Sequence, residues 1–451
     1  MKVIWSCREC GHSQSKWAGS CPTCKNWNTL VEEQAVPEEK RFVSKKPEKS
    51  KAVRIKDVQA TECPRIATNM GELDRLLGGG LVEGSLLLIG GEPGVGKSTL
   101  MLQIANALAT QGLTVLYICG EESAEQTSLR ARRLGIDHNN LYLLSETHFS
   151  AIKAQIDQVK PDVAIVDSVQ IVYKSEIPSS PGSVVQVREI ATEFMHLAKG
   201  HGITTFLIGH VTKSGDLAGP RVLEHLVDAV LEFEGDRQHG FRMLRAIKNR
   251  FGTTDEIALF QMKETGLMEV SNPSQAFLEE RMKEIPGSAI VPGLEGARSF
   301  LLEIQALVTA TAFPNPSRRS AGLDANRLGL LLAVLDKRLG YHMYNHDVFV
   351  ALAGGLKIIE PAIDLGILLA VASSYTNRAI PSDCILLGEV GLGGEVRGVS
   401  RIDTRLKEAV HMGFKKCVLP KKNLKGLSRI GDKIELVGVE LVDEAIKSLL
   451  C

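Results

Sequence analysis

The stretch GGEPGVGKST, Gly90 to Thr99, narrows what this chain can fold into more than any other. It satisfies G-x-x-x-x-G-K-[ST], with Gly91, Gly96, Lys97 and Ser98 at the defining positions and Glu92, Pro93, Gly94, Val95 and Thr99 completing the predicted nucleotide-binding run. The apolar run Leu86–Gly90 precedes it, and Leu100, Ile104 and Leu108 follow at helical spacing until Gly112, so strand, loop and helix are predicted in that order. Glycines let successive backbone N–H groups turn inward around a phosphate, and the helix N-terminus adds its positive dipole. Lys97 is expected to reach the β- and γ-phosphates, and the Ser98 hydroxyl to bind Mg²⁺. The chain therefore reads as a nucleoside triphosphatase.

With 451 residues, roughly three domains are expected. The 53 basic and 53 acidic side chains cancel, so any nucleic-acid surface must be local rather than a global positive field. No apolar run has the length of a membrane span, and MKVIWSCREC lacks the apolar region of a signal peptide, so a cytoplasmic protein with no membrane partner is expected. Nine cysteines in a reducing compartment do not predict a disulfide framework.

Four of them form Cys7-x2-Cys10 and Cys21-x2-Cys24, spaced to place four thiolates around Zn²⁺. A module of residues 1–30 cannot bury a core without such a staple. A redox dithiol is the competing reading, but it needs one C-x-x-C at a helix start rather than two in turns. Trp5, Trp17 and Trp27 all lie here, either covering the metal or offering stacking faces to unpaired bases. Residues 31–60 lose periodicity and read as a linker; from Lys40 to Lys56 they carry eight Lys/Arg against one Glu, which is either a solvated tether or an arm for phosphates.

From 61 to 270, short buried runs alternate with amphipathic stretches, the pattern of a mostly parallel sheet covered by helices. The runs ending at Glu121-Glu122, Asp167 and His210 each pass from apolar to polar, and ligands of such sheets bind at the carboxyl ends of the strands. Asp167 is expected to be a direct or indirect Mg²⁺ partner in the Walker B position. One of Glu121 and Glu122 is expected to be the base for the attacking water, with the choice between them left open. His210 suits a γ-phosphate sensor as well as a satisfied buried histidine.

The succession TNMGELDRLLGGGLVEGS, GEPGVGKST, YICGEES, VAIVDSVQ, GHVTKSGDLAGPRVLEHLVD and IKNRFGTTDEI behind a zinc module resembles the bacterial RadA (Sms) family of DNA recombination and repair proteins. The resemblance covers nearly the whole chain, and Lys248-Asn249-Arg250-Phe251-Gly252 is the family's own five-residue signature. It implies an α/β fold: a RecA-like P-loop ATPase domain with an N-terminal four-cysteine zinc module and a C-terminal α/β Lon protease-like domain. It also implies ATP, Mg²⁺ and Zn²⁺, a homo-oligomeric ring of hexamer type, single-stranded DNA and branched intermediates as substrates, and action alongside the RecA recombinase in branch migration. Lys248 and Arg250 would then act across the subunit interface on a neighbour's γ-phosphate or couple hydrolysis to DNA, as an arginine supplied in trans does. From spacing alone these two would be ordinary surface charge. Within Gly209–Pro220 and just beyond it, Lys213 and Arg221 are DNA-contact candidates, with a nucleotide-sensing loop as the alternative. The run Tyr173–Glu189 reads as another mobile loop, with Lys174 and Arg188 as weaker candidates.

Prolines and lost periodicity mark 271–292 as a linker, and 293–451 resembles the proteolytic domain of Lon. Lon-type proteolysis needs a helix-opening serine and a lysine from a later helix. Alignment puts Asp364 and Asp403 at those two positions, and Ser373 and Ser374 lie too far along the helix to substitute. The domain is therefore expected to be a scaffold without protease activity that assembles a ring and offers basic patches to DNA, with Lys337, Arg338, Arg401, Arg405 and Lys407 as candidate contributors, each of which taken alone reads rather as a solvated helix charge. An ATP-dependent protease and a regulatory ATPase of the KaiC type are the rival readings; the latter leaves the zinc module and KNRFG unexplained.

Overall fold

A computed structural model describes residues 3–7, 13–23, 25–34, 64–209, 223–235, 240–311, 315–354, 358, 360–427 and 431–450. The chain divides into two compact units, the first made of Met1–Gly235, Arg242–Thr254 and Phe260–Glu269, the second of Asp236–Phe241, Asp255–Leu259 and Val270–Cys451. At the N-terminus, β1 (Val3–Cys7) pairs antiparallel with β2 (Ser13–Gln14) and β3 (Leu30–Gln34). Next come the short pair β4 (Arg65–Ile66) and β5 (Leu81–Val82) with α1 (Gly71–Leu76) between them.

A nine-stranded sheet, most of it in the first unit, holds β6 (Leu86–Gly91), β7 (Val115–Cys119), β8 (Leu141–Leu144), β9 (Val163–Asp167), β10 (Thr204–Ile208), β11 (Ala229–Gly235), β12 (Phe241–Asn249), β13 (Ile257–Lys263) and β14 (Gly266–Glu269). Their order is β14-β13-β12-β11-β6-β10-β9-β7-β8. From β11 to β8 every pairing is parallel, whereas β12 returns antiparallel on β11. Parallel strands must be covered on both faces, which is why β6, β7 and β10 read as unbroken buried runs. On one face Leu86, Leu88, Leu116, Ile118 and Val166 pack with Phe149 and Ile152 of α4 (Phe149–Val159) and Ile190 and Phe194 of α5 (Val184–His201). Two further helices, α2 (Lys97–Thr110) and α3 (Ala124–Arg133), each start directly after a strand; α3 opens with a reciprocal Ser123–Gln126 capping box.

The 173–189 stretch is less loose than its prolines suggest. Gln186, buried at the start of α5, accepts from Lys174 N and donates to Lys174 O, Ile177 O and Ser179 O. Lys174 pairs with Glu193 and lies 5.5 Å over the Phe149 ring, so it is not a free contact for phosphate.

In the second unit, the segment expected to be a linker, 271–292, carries regular structure: α6 (Pro273–Leu278) and most of β15 (Ser288–Glu295). Pro273 occupies the first helical turn, where its missing N–H costs nothing, and Asn272 caps the helix through Gln275 N. The sheet also holds β16 (Arg298–Ala310), β17 (Arg318–Ala321), β18 (His346–Leu352), β19 (Cys384–Leu386), β22 (Lys416–Pro420) and β23 (Glu435–Val439), in the order β17-β18-β16-β15-β19-β22-β23; β20 (Glu389–Val390) and β21 (Val396–Arg397) form a separate pair. Its helices are α7 (Ala325–Leu339), ended by left-handed Gly340, α8 (Asp364–Thr376), α9 (Ile402–His411) and α10 (Val442–Leu450).

Asp364 opens α8 and is 1% exposed. Arg327 Nε donates to its Oδ1 at 3.1 Å, and Val390 N to its Oδ2 at 3.1 Å. Burial raises its pKa, against the lowering by Arg327 and the Val390 N–H. Asp403 is exposed on α9. The hydroxyls of Ser373 and Ser374 accept from Gly287 N and Val308 N. Arg405 is no surface cation: fully buried, it ion-pairs with Glu360 and donates to Pro292 O at 2.6 Å and Ser400 O at 3.1 Å. Among the described residues, no helix is long and apolar enough to cross a membrane.

Glu360→Ala leaves the Arg405 guanidinium buried without its counter-charge and should cost about 3–5 kcal/mol of the second unit's stability, read by chemical denaturation. Glu360→Gln, which keeps an acceptor, should cost less.

Candidate nucleotide site

The phosphate loop leaves the C-terminal end of β6, in the middle of the sheet, and enters α2 at Lys97. Two of its glycines are required, Gly91 by backbone crowding and Gly96 by its backbone conformation. A Cβ on Gly91 would lie 2.3 Å from Phe233 O, and Gly96 combines φ +116° with only 2.8 Å to Met262 Cε. Lys97 is buried, and its ammonium donates to Gly91 O at 2.7 Å and Glu92 O at 2.9 Å. Burial lowers its pKa, opposed by the negative charges of Asp167, Glu121 and Glu92. Glu92, Pro93 and Gly94 form an exposed crest, Val95 is buried, and Ser98 and Thr99 are half-buried in the first turn of α2. A residue that spacing did not single out supports the loop from behind: Arg242 of β12, itself buried, donates its Nε–H to Val95 O at 2.9 Å.

The acidic residues come from the ends of two adjacent strands. Asp167 ends β9 opposite Cys119 of β7, and its peptide bond to Ser168 is cis. The Tyr117 hydroxyl donates to Asp167 Oδ2 at 2.7 Å, and burial, then the Asp167 charge, pushes that phenol pKa well above its ordinary value. Ser168 Oγ donates to Glu121 Oε1 at 2.5 Å. Glu122 instead pairs with Arg130 of α3. The two glutamates thus have different surroundings: Glu121 is tied to the residue after Asp167 and lies near enough to Lys97 to affect its titration, while Glu122 is committed to a helix. His210, Lys213 and Arg221 lie outside the described residues.

The KNRFG run is elsewhere. Lys248 pairs in register with Val230 of β11, which faces Leu88, whereas Gly91 faces Phe233 further along the same strand. The motif and the phosphate loop are therefore separated by about 10 Å of strand rise. Lys248 Nζ points back from the loop, donating to Val227 O at 2.8 Å and to Glu224 O. Arg250 Nη1 reaches Asp228 Oδ1 at 3.2 Å. Asp228 is 3% exposed in its side chain and also accepts from Leu86 N at 3.0 Å and Lys199 Nζ at 2.6 Å. Burial alone would raise its pKa, but these donors hold it below the ordinary carboxylate value. Asn249 Nδ2 donates to Leu76 O, and Arg65 lies over the Phe251 ring while donating to Phe251 O at 2.9 Å. Asn249, Phe251 and Gly252 fasten the motif to the surrounding chain, and Arg250, paired with Asp228, is 55% exposed in its side chain.

In the N-terminal module, Cys7 and Cys21 are 2% and 1% exposed and share one small core with Leu30, Trp5 and Ala18. Lys25 N donates to Cys21 O at 2.8 Å and Cys21 N to Asn26 O at 2.9 Å, a tight turn around the second Cys-x2-Cys. Two buried thiols brought together from the end of β1 and from a separate turn, neither in a disulfide, fit a thiolate-bound metal. Cys10 and Cys24 lie outside the described residues. Trp17 and Trp27 are 57% and 75% exposed, so of the three tryptophans only Trp5 covers this core.

Arg242→Met removes the donor to Val95 O while leaving the nucleotide-facing residues intact. It should weaken nucleotide binding by on the order of tenfold, measured by titration with a fluorescent ADP, because about 1–3 kcal/mol of loop support is lost.

The chain matches three protein-family models. A family model described as an AAA domain matches residues 49–216, one described as a rubredoxin metal binding domain matches 5–32, and one described as subunit ChlI of Mg-chelatase matches 331–423. The DNA repair protein RadA of Chlamydia trachomatis serovar D is 50% identical over 450 residues, covering 100% of this chain and 99% of the relative. Those of Bacillus subtilis strain 168 and Halalkalibacterium halodurans are 51% and 49% identical over 454 and 452 residues, again covering 100% of this chain and 99% of each relative. With a RecA-like P-loop fold, a zinc-ribbon module and a Lon-like C-terminal domain, the chain belongs to the bacterial RadA family of DNA repair proteins.

Proposed function

We propose that this chain is a DNA-dependent ATPase that works as a ring, of hexamer type, on single-stranded DNA and drives branch migration of recombination intermediates alongside the RecA recombinase. The observation that carries the reading is the separation of its two sets of charged groups. Lys97, Asp167 and Glu121 gather at the carboxyl ends of the strands, while Lys248 and Arg250 lie back along the sheet and point away. Arg250 meets a nucleotide only if another copy brings one to it. A head-to-tail contact of that kind generates a closed ring or a helical array.

In the hydrolysis step Lys97 leaves the carbonyls of Gly91 and Glu92 and turns to the β- and γ-phosphates of ATP. Ser98 and Asp167 would hold magnesium, which supplies neutralisation of phosphate charge when bound. Glu121 orients the attacking water and takes its proton as the bond from the γ-phosphorus to the bridging oxygen breaks, leaving ADP and phosphate. Arg250 of the adjoining copy adds positive charge where the transition state gathers negative charge. Cys7, Cys10, Cys21 and Cys24 would hold zinc as a structural tetrathiolate. Lys213 and Arg221 are proposed phosphate contacts for DNA. Proteolysis is not proposed, since a carboxylate salt-bridged to Arg327 stands at the nucleophile position.

ATP hydrolysis measured with and without single-stranded DNA tests the reading. The unaltered chain should be stimulated by DNA, and Lys97→Ala should be inactive. Glu121→Gln should lose about 10²–10⁴ in kcat while still binding nucleotide, and Glu122→Gln should lose far less. Mixing inactive Lys97→Ala with Arg250→Ala chains should restore hydrolysis at interfaces that combine an intact loop with an intact arginine. Absence of DNA stimulation sinks the motor reading, and failure of the mixture to recover sinks action in trans.

Because Trp5, Trp17 and Trp27 are the only tryptophans, intrinsic indole fluorescence reports on the N-terminal module alone. About one zinc should be found per chain. Stripping it with a chelator should shift that emission to the red and leave the P-loop unit's thermal transition in place.

A further inference from the structure

Strand β7 contributes one polar side chain to the interior behind the nucleotide site. Tyr117 is 1% exposed, and its hydroxyl donates to Asp167 Oδ2 at 2.7 Å. Its register partner is Ile165, and Asp167 faces Cys119 two residues further on, so the phenol spans about two residues of strand rise to reach the carboxylate. A buried hydroxyl is costly unless partnered, and phenylalanine would fill the same space without that cost. The hydrogen bond fixes one carboxylate oxygen and therefore the rotation of the group, which sets the direction of the other. We infer that Tyr117 is a positioning residue that orients Asp167 toward the metal–phosphate complex, so that the chain's preference for magnesium-bound over metal-free nucleotide depends on this phenol. The inference rests on the proposed role of Asp167. Outer partners of metal-binding groups commonly influence metal affinity by about 10–100-fold.

Tyr117→Phe keeps the ring and deletes the donor. The test measures binding of a fluorescent ADP with magnesium and with chelator, together with the free magnesium that gives half-maximal ATP hydrolysis, in the unaltered chain, Tyr117→Phe, Asp167→Asn and the double variant. Tyr117→Phe should bind metal-free ADP as the unaltered chain does, lose about tenfold in the magnesium-dependent gain of affinity, and need about tenfold more magnesium for hydrolysis. In the Asp167→Asn background the tyrosine substitution should add little, because the two act as one unit. An unchanged magnesium dependence in Tyr117→Phe overturns the inference, and so does an equal weakening with and without metal, the signature of a merely structural role. If the unaltered chain itself shows no magnesium-dependent nucleotide binding, the reading of Asp167 fails instead.

Discussion

Strand β6 is held at its two ends by opposite charges, and the nucleotide unit is arranged around that fact. At its start the Leu86 N–H is taken by the buried Asp228 carboxylate; at its finish the Gly91 carbonyl is taken by the buried Lys97 ammonium. Between them the strand is wholly apolar and buried, paired in parallel with β10 and β11. Asp228 also carries Arg250, and Lys97 lies within electrostatic reach of Asp167 and Glu121. Both charged clusters are thus fastened to one stiff element, each tied to a backbone group that parallel pairing leaves near a strand end. A shift of Lys97 toward phosphate frees the Gly91 carbonyl, and whatever draws Arg250 away loosens the other end.

The chemistry of each cluster was readable locally, and the partnerships within it were not. G-x-x-x-x-G-K-[ST] between a strand and a helix specifies a phosphate loop from ten consecutive residues, and strands that end in carboxylates point to the same edge of the sheet. Tyr117–Asp167 and Arg242–Val95, by contrast, join residues 50 and 147 positions apart. They depend on which strands become neighbours and in which register. Glu121 and Glu122 are identical in type and adjacent by number, and partners distant in sequence or on the following helix, Ser168 and Arg130, distinguish them.

Two misreadings have the same origin. Prolines in 271–292 suggested a tether, yet proline is as much at home in the first turn of a helix as in a linker. Arg405 lies on a helix among other charged residues and reads from the sequence as a basic-patch or solvated helix charge; it is buried against Glu360, 45 positions away. A charged side chain enters a core when a distant partner is already there, and no local pattern announces the partner.

The Asp364–Arg327 pair has a bearing on what the Lon-like unit can become. Its carboxylate stands at the opening of α8, where the helix dipole favours negative charge, and it answers a guanidinium on α7 and a backbone N–H. Serine there would take from Arg327 its salt-bridge partner at the positive end of a helix, leaving it the Val390 carbonyl and the more remote Glu389 charge. A serine placed at 364 alone gives up stability, and exchanging Arg327 with it lessens that loss. The ion pair therefore makes position 364 intolerant of a neutral side chain for reasons of packing and charge alone.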